Sequence, residues 1–172
     1  YVSITSQNTL DVDLSLFSVK SGTQHIYSIA GRIYFFKIYE NDILIHNFIP
    51  WYIKVNNEAN VVTIYEKKTN GDLNPIKAMT CSTGSATPES GVYSIQTKWE
   101  WGYLLGNVCG HYATKIVGNI LFHSVPYSKA DPSTLEYWEY DKLGTSASMG
   151  CVRLCVADAA WIFYNMPYGT PV

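Results

Sequence analysis

The chemistry available to this chain is concentrated in four cysteines (Cys81, Cys109, Cys151, Cys155) and four histidines. Cys151 has the setting of a nucleophile. It follows the small residues Thr145, Ser146, Ala147 and Ser148, and then Gly150, which permits close approach of the backbone to a ligand. Such a turn can aim several backbone N–H groups at one point, as an oxyanion hole requires. A thiol attacks as the thiolate and needs a nearby base or cation. His123, at the end of the apolar run Gly118-Asn119-Ile120-Leu121-Phe122, is the best candidate base, and Arg153 would add positive potential.

Other readings of the same residues compete. A lone Cys in an apolar segment is more often a small buried hydrophobe than a nucleophile. A zinc site from His111, His123, Cys151 and Cys155 is weaker, because no C-x-x-C or H-x-x-x-H pair is present. A phosphatase-type Cys-x5-Arg loop is excluded, since Ala157 occupies the arginine position. Four cysteines are too few for a disulfide scaffold in 172 residues. One Cys81–Cys109 bridge is conceivable, but spacing does not decide it.

The elements that must position these groups read mostly as β. Residues 33–39 and 43–49 are rich in aromatic and β-branched residues around the turn Glu40-Asn41-Asp42, which predicts a hairpin interrupted by Pro50. Trp51 to Val55 and Val61 to Tyr65 form a second strand pair, followed by a turn at Thr69-Asn70-Gly71-Asp72. Val92 to Thr97 alternates as a half-buried strand, and Ile116 to Phe122 reads as a further apolar strand. Tyr127 to Gly144 has no clear period and reads as a long loop. One helix is expected from about Val156 to Asn165, with Asp158 in its first turn and Pro167 and Gly169 ending it.

Bulk properties narrow the partners. A hydrophobic fraction of 47% suits a globular chain, and a net charge of −2 gives no basic footprint for nucleic acid. Fourteen tyrosines and five tryptophans suit strands and open clefts that take sugars or peptides. The chain starts at Tyr1 rather than Met, so it is expected to be a fragment with any signal or anchor outside it. No apolar run reaches the length of a membrane span. A boundary near Pro50 divides a β-rich N-terminal segment, residues 1–49, from a domain over residues 50–172.

From about Trp51 onward the chain resembles the YkuD-type L,D-transpeptidase catalytic domain, over roughly 120 residues. The matching blocks occur in order. Cys81-Ser82-Thr83-Gly84 with Thr87-Pro88-Glu89-Ser90-Gly91-Val92-Tyr93 resembles the STG…TPxG-(F/Y) block. His111 to Ile116 and Phe122-His123-Ser124-Val125-Pro126-Tyr127 resemble the strand carrying the general base. Ser148-Met149-Gly150-Cys151-Val152-Arg153-Leu154 resembles the S/T-H-G-C-x-(N/R) signature, and Asp158 to Trp161 with Gly169 to Val172 resembles the closing helix and last strand. Two features depart from the pattern. Met149 stands where a second His is usual, and the 27 residues between His123 and Cys151 exceed the usual interval. An enlarged loop at Tyr127–Gly144, acting as a lid or as a passive insertion, would account for the second.

The resemblance implies a mainly β fold: a YkuD-like β-sandwich catalytic domain with one or two short helices. It implies 3→3 cross-linking of peptidoglycan through a Cys thioester, with release of D-Ala from a tetrapeptide stem. The alternative is an L,D-carboxypeptidase or other cell-wall thiol hydrolase using the same pair. In that reading Cys151 is the nucleophile, His123 the base and the Ser124 carbonyl the group that fixes its tautomer. Met149, Gly150 and Cys151 supply the oxyanion donors, and Arg153, Tyr112, Ser148 and Trp99, with Trp101 beside it, meet the substrate. No cofactor or metal is implied. Donor and acceptor stem peptides are the partners, carbapenems the expected covalent inhibitors, and the bacterial cell surface the expected location.

Overall fold

The computed structural model describes the backbone of residues 36–40 and 43–48, and residues 51–172 apart from 69. The chain divides into two compact units, 1–50 and 51–172. In the first, β1 (Phe36–Glu40) and β2 (Ile43–Phe48) pair antiparallel, from Phe36 opposite Phe48 to Glu40 opposite Ile43. The rest of the hairpin expected over 33–49, its turn at Asn41 and Asp42, and Pro50 lie outside the described residues, as do residues 1–32.

The second unit begins with an antiparallel meander of β3 (Trp51–Asn56), β4 (Val61–Lys67) and β5 (Leu73–Ser82). Alternation builds it: Ile53, Val62, Ile64, Met79 and Cys81 are buried while Lys54, Glu66 and Lys67 face out. A second meander follows, of β6 (Lys98–Leu104), β7 (Val108–Val117) and β8 (Ile120–Ser124), with the two-residue β9 (Pro126–Tyr127) added to β7. The short β10 (Val152–Leu154) joins the two meanders, lying antiparallel to β5 and parallel to β8. The sandwich expected from the sequence is thus one mixed eight-stranded sheet in the order β3-β4-β5-β10-β8-β7-β6, with β9 beside β7.

Helix α1 (Val156–Asn165) has the bounds expected from the sequence and packs against β7, β8 and β10. Cys155 caps its start, its sulfur accepting from the Asp158 amide at 3.4 Å. Lys98 closes its other end by donating to the Phe163 carbonyl and, at 2.5 Å, to the Met166 carbonyl, so a cation sits where the helix dipole is negative. Burial pushes the Lys98 ammonium down to about 8.

Three expectations change. Val92–Thr97 forms no strand: only Ser94 makes an isolated bridge, to Pro171, although Tyr93 exchanges backbone bonds with Val172, and Ile95 donates to Thr170 and accepts from Gly169. The run Ile116–Phe122 is not one strand but the end of β7 and the start of β8, reversed at Gly118-Asn119. The segment Tyr127–Gly144 is ordered by β9 and two 3-10 helices, Pro132–Thr134 and Tyr137–Lys142. The core gathers Ile53, Val62, Ile64, Phe122, Leu154 and Ile162 from both meanders and the helix. Ile64→Ala, which removes fully buried side-chain volume from the middle of β4, should lower the unfolding free energy by about 2–5 kcal/mol in a urea titration.

Candidate functional site

Cys151 stands one residue before β10, at the end of a loop held by a distant segment. Thr87 Oγ1 accepts the Gly84 amide at 2.9 Å and donates to the Gly150 carbonyl at 2.7 Å. Gly84 bridges Ser148 in parallel, and a Cβ on Gly84 would lie 2.0 Å from the Ser148 carbonyl oxygen, so no other residue fits there. The Ser148 amide donates to Thr83 at 3.0 Å. Asn60 completes the clamp, its side-chain oxygen accepting from both the amide and the hydroxyl of Thr83 at 2.9 Å. Thr83, Gly84 and Thr87 belong to the blocks Cys81–Gly84 and Thr87–Tyr93 that carry the resemblance, but nothing in the sequence marks Thr87 and Asn60 as the groups that hold the loop before Cys151.

His123 arrives from the neighbouring strand. In the parallel ladder Val152 is opposite Phe122 and Arg153 opposite His123, so Cys151 is level with Leu121. Phe122, Val152 and Leu154 turn into the core, and Leu121, His123, Cys151 and Arg153 line a cleft of about 740 Å³ on the other face. The His123 imidazole is only 2% exposed. Its Nδ1 lies 2.6 Å from the Ser124 carbonyl oxygen, an acceptor only, so Nδ1 carries the proton and Nε2 holds the basic lone pair. The Ser124 hydroxyl fixes that peptide by accepting the His111 amide at 2.9 Å and donating to the Val125 carbonyl at 2.7 Å. Gly110 leaves room for the ring: a Cβ there would come within 2.8–2.9 Å of His123 Cβ, Cγ and Nδ1. Nothing in the sequence singles out Gly110.

Burial lowers the His123 imidazole from 6.5 to about 4, with the Arg153 charge adding to the effect and the Ser124 carbonyl opposing it. Burial also raises the Cys151 thiol above its ordinary 9.0, against a backbone hydrogen bond at Leu121 and the Arg153 charge. Burial thus favours the uncharged form of both groups. Cys151 Sγ lies 3.5 Å from the Asn119 carbonyl oxygen, and no hydrogen bond joins it to His123.

The remaining candidates separate. Gly150 donates its amide to Ser148 Oγ at 3.1 Å, and that hydroxyl donates to the Cys151 carbonyl at 2.6 Å. Ser148 thus braces the loop, and Gly150 is engaged rather than free for an oxyanion, leaving Met149 and Cys151 as the available amides. Trp99, Trp101 and Met149 line the cleft, Met149 at 63% exposure. Tyr112 does not: it lies on the helix face, where it stacks on His111 and meets Phe163 and Tyr164. His111 lies stacked between Trp101 and Tyr112, away from Cys151. Cys81 and Cys109 are both free and buried, so they form no bridge, and burial pushes the Cys81 thiol up to about 12. No three His, Cys, Asp or Glu side chains converge among the described residues.

Arg153 Nη1 donates to Glu139 Oε2 at 2.5 Å. Burial pushes the Glu139 carboxyl up, but Lys142 and Arg153 together outweigh it and hold it low. This pair ties the second 3-10 helix to β10. No residue between Ser128 and Ala147 lines the cleft, so the Tyr127–Gly144 segment, expected as a lid or a passive insertion, is a strut beside it.

This topology brings Cys151 and His123 to one cleft, an arrangement suited to acyl transfer through a thiol. The family model for the YkuD L,D-transpeptidase catalytic domain matches residues 50–172, and the chain belongs to that family. Over 108 residues it is 38% identical to "Putative L,D-transpeptidase YciB" of Bacillus subtilis (strain 168), covering 58% of this chain and 55% of that protein. Among solved structures, a fused Zn-dependent amidase/peptidase/peptidoglycan-binding domain-containing protein from Clostridium acetobutylicum ATCC 824 is 26% identical, with a TM-score of 0.54 over 72% of this chain and 50% of its own. L,D-transpeptidase 3 from Mycobacterium tuberculosis, in complex with a faropenem-derived adduct, shares the fold at 19% identity, with a TM-score of 0.55 over 80% of this chain and 66% of its own. The chain spans about half the length of the first two relatives.

The His123 environment has a consequence for stability. Its folded value, about 4, lies below the ordinary 6.5, so between these the unfolded chain binds the extra proton. Stability contributed by this group is full above pH 6.5 and is lost as pH falls toward 4. Urea titrations from pH 7 to 4 should show this loss in the wild type and a shallower one in His123→Asn; parallel profiles would contradict the buried neutral imidazole.

Proposed function

We propose that this protein is a peptidoglycan cross-linking enzyme that joins stem peptides 3→3 through a thioester on Cys151. The sulfur attacks the carbonyl carbon of the third stem residue as its proton passes to His123 Nε2. The tetrahedral oxyanion is held by the amides of Met149 and Cys151. When it collapses, the C–N bond to the fourth residue breaks and His123 returns the proton to the leaving D-Ala amine. The side-chain amine of a second stem then attacks the thioester, losing its proton to His123, and the amide forms as the thiol is restored. Water in place of that amine would release a tripeptide, which is the carboxypeptidase alternative.

One observation carries this reading. Cys151 and His123 share a cleft face, and the Nδ1–Ser124 bond leaves Nε2 as the base. The open, aromatic-walled cleft with Trp99 and Trp101 suits an extended peptide on a polymer. The faropenem-derived adduct on the structural neighbour supports β-lactams as donor mimics. Because the substrate is the cell wall, the enzyme would act outside the cytoplasmic membrane. Among the described residues no helix is long and apolar enough to cross one.

Exposure to a carbapenem should add one drug mass to the wild type by intact mass spectrometry and none to Cys151→Ala. His123→Ala should acylate about 10²–10⁴ times more slowly. Label retained by Cys151→Ala, or an undiminished rate in His123→Ala, would remove the assignment. Incubation with purified muropeptides should give dimers; shortened monomers alone would move the reading to hydrolysis.

A further inference from the structure

The charge of the cleft is one-sided. Lys115 and Arg153 line it and no Asp or Glu does, although the chain carries a net −2. Arg153 is already matched by Glu139 at 2.5 Å. Lys115 makes no ion pair among the described residues. It is half-buried, beside Trp99 and Leu121.

Its place in the sheet is defined. Lys115 is opposite Leu121 in the β7–β8 ladder, and Leu121 is level with Cys151 across the β8–β10 ladder. Lys115, Leu121 and Cys151 therefore form one row on the cleft face, spanning two strand spacings or roughly 10 Å between backbones. A lysine side chain covers much of that span while its methylenes pack along the apolar wall. A partly desolvated ammonium without a protein partner is matched best by an anion brought by the ligand. The donor stem brings one close to the reacting atom: the terminal carboxylate of the departing D-Ala, one residue beyond the carbonyl that Cys151 attacks.

We infer that Lys115 binds the terminal carboxylate of the donor stem and selects stems ending in a free acid. This rests on the acyl-donor reading above. Arg153, held by Glu139, supports the strand and the local potential, while Lys115 reads the substrate.

The test uses the full chain with Cys151→Ala, titrated calorimetrically with a tetrapeptide stem ending in D-Ala and with the same peptide ending in D-alaninamide. The acid should bind about tenfold more tightly than the amide. Adding Lys115→Gln should erase that ratio by weakening the acid alone, and Lys115→Arg should keep most of it. A ratio that survives Lys115→Gln, the absence of any preference in the parent, or failure to bind either peptide overturns the inference. Turnover by the Cys151 enzyme separates the two readings. Dimer formation without acid preference removes Lys115 and leaves the catalytic proposal, whereas acid-selective binding without any turnover does the reverse.

Discussion

Three residues of parallel pairing, Val152–Leu154 against Phe122–Ser124, hold this structure's chemistry together. Side chains on adjacent strands share a face only when register is kept, and a slip of one residue would exchange faces. Here one face must hold Phe122, Val152 and Leu154, all fully or nearly fully buried. The core thus selects the register, and the register places His123, Arg153 and the position of Cys151 on the opposite, open face. Hydrophobic burial and site assembly are the same constraint read from two sides of the sheet.

The rest of the fold secures that short ladder. β10 is flanked by β5 as well as β8, so it is a central strand with no free edge. The Thr87 hydroxyl and the Gly84–Ser148 contact fix the loop leading into it. The Glu139–Arg153 pair and the backbone bond from Gly144 to Cys81 fix the segment before that loop. On the His123 side, one peptide carbonyl sets the tautomer and the Ser124 hydroxyl sets the peptide. Burial disfavours the charged form of both His123 and Cys151.

How much of this was legible in the sequence follows from how local each signal is. Helix α1 was legible to the residue because its apolar face, first-turn Asp158 and following Pro167 are all nearby in the chain. Cys151 and His123 emerged from residue type, small-residue context and ordered blocks. β5 escaped because its first half is exposed and carries Pro75, so it shows no alternation. β6 escaped because Glu100 and Gly102 interrupt its apolar pattern at a sheet edge. The place of Tyr112 is not legible because it is set by ring contacts with Phe163 and Tyr164, about fifty residues along the chain. The Tyr127–Gly144 segment was read as a loop over the cleft because its anchor, Glu139 to Arg153, is a long-range pair that leaves no periodic trace.

The central claim is that His123 is neutral, protonated on Nδ1 and basic at Nε2, while Cys151 remains a thiol. Long-range ¹H–¹⁵N correlation of the imidazole in the resting enzyme at pH 7 tests it directly. The account predicts the Nδ1–H tautomer for His123. An imidazolium paired with a Cys151 thiolate, or the Nε2–H tautomer, would contradict it.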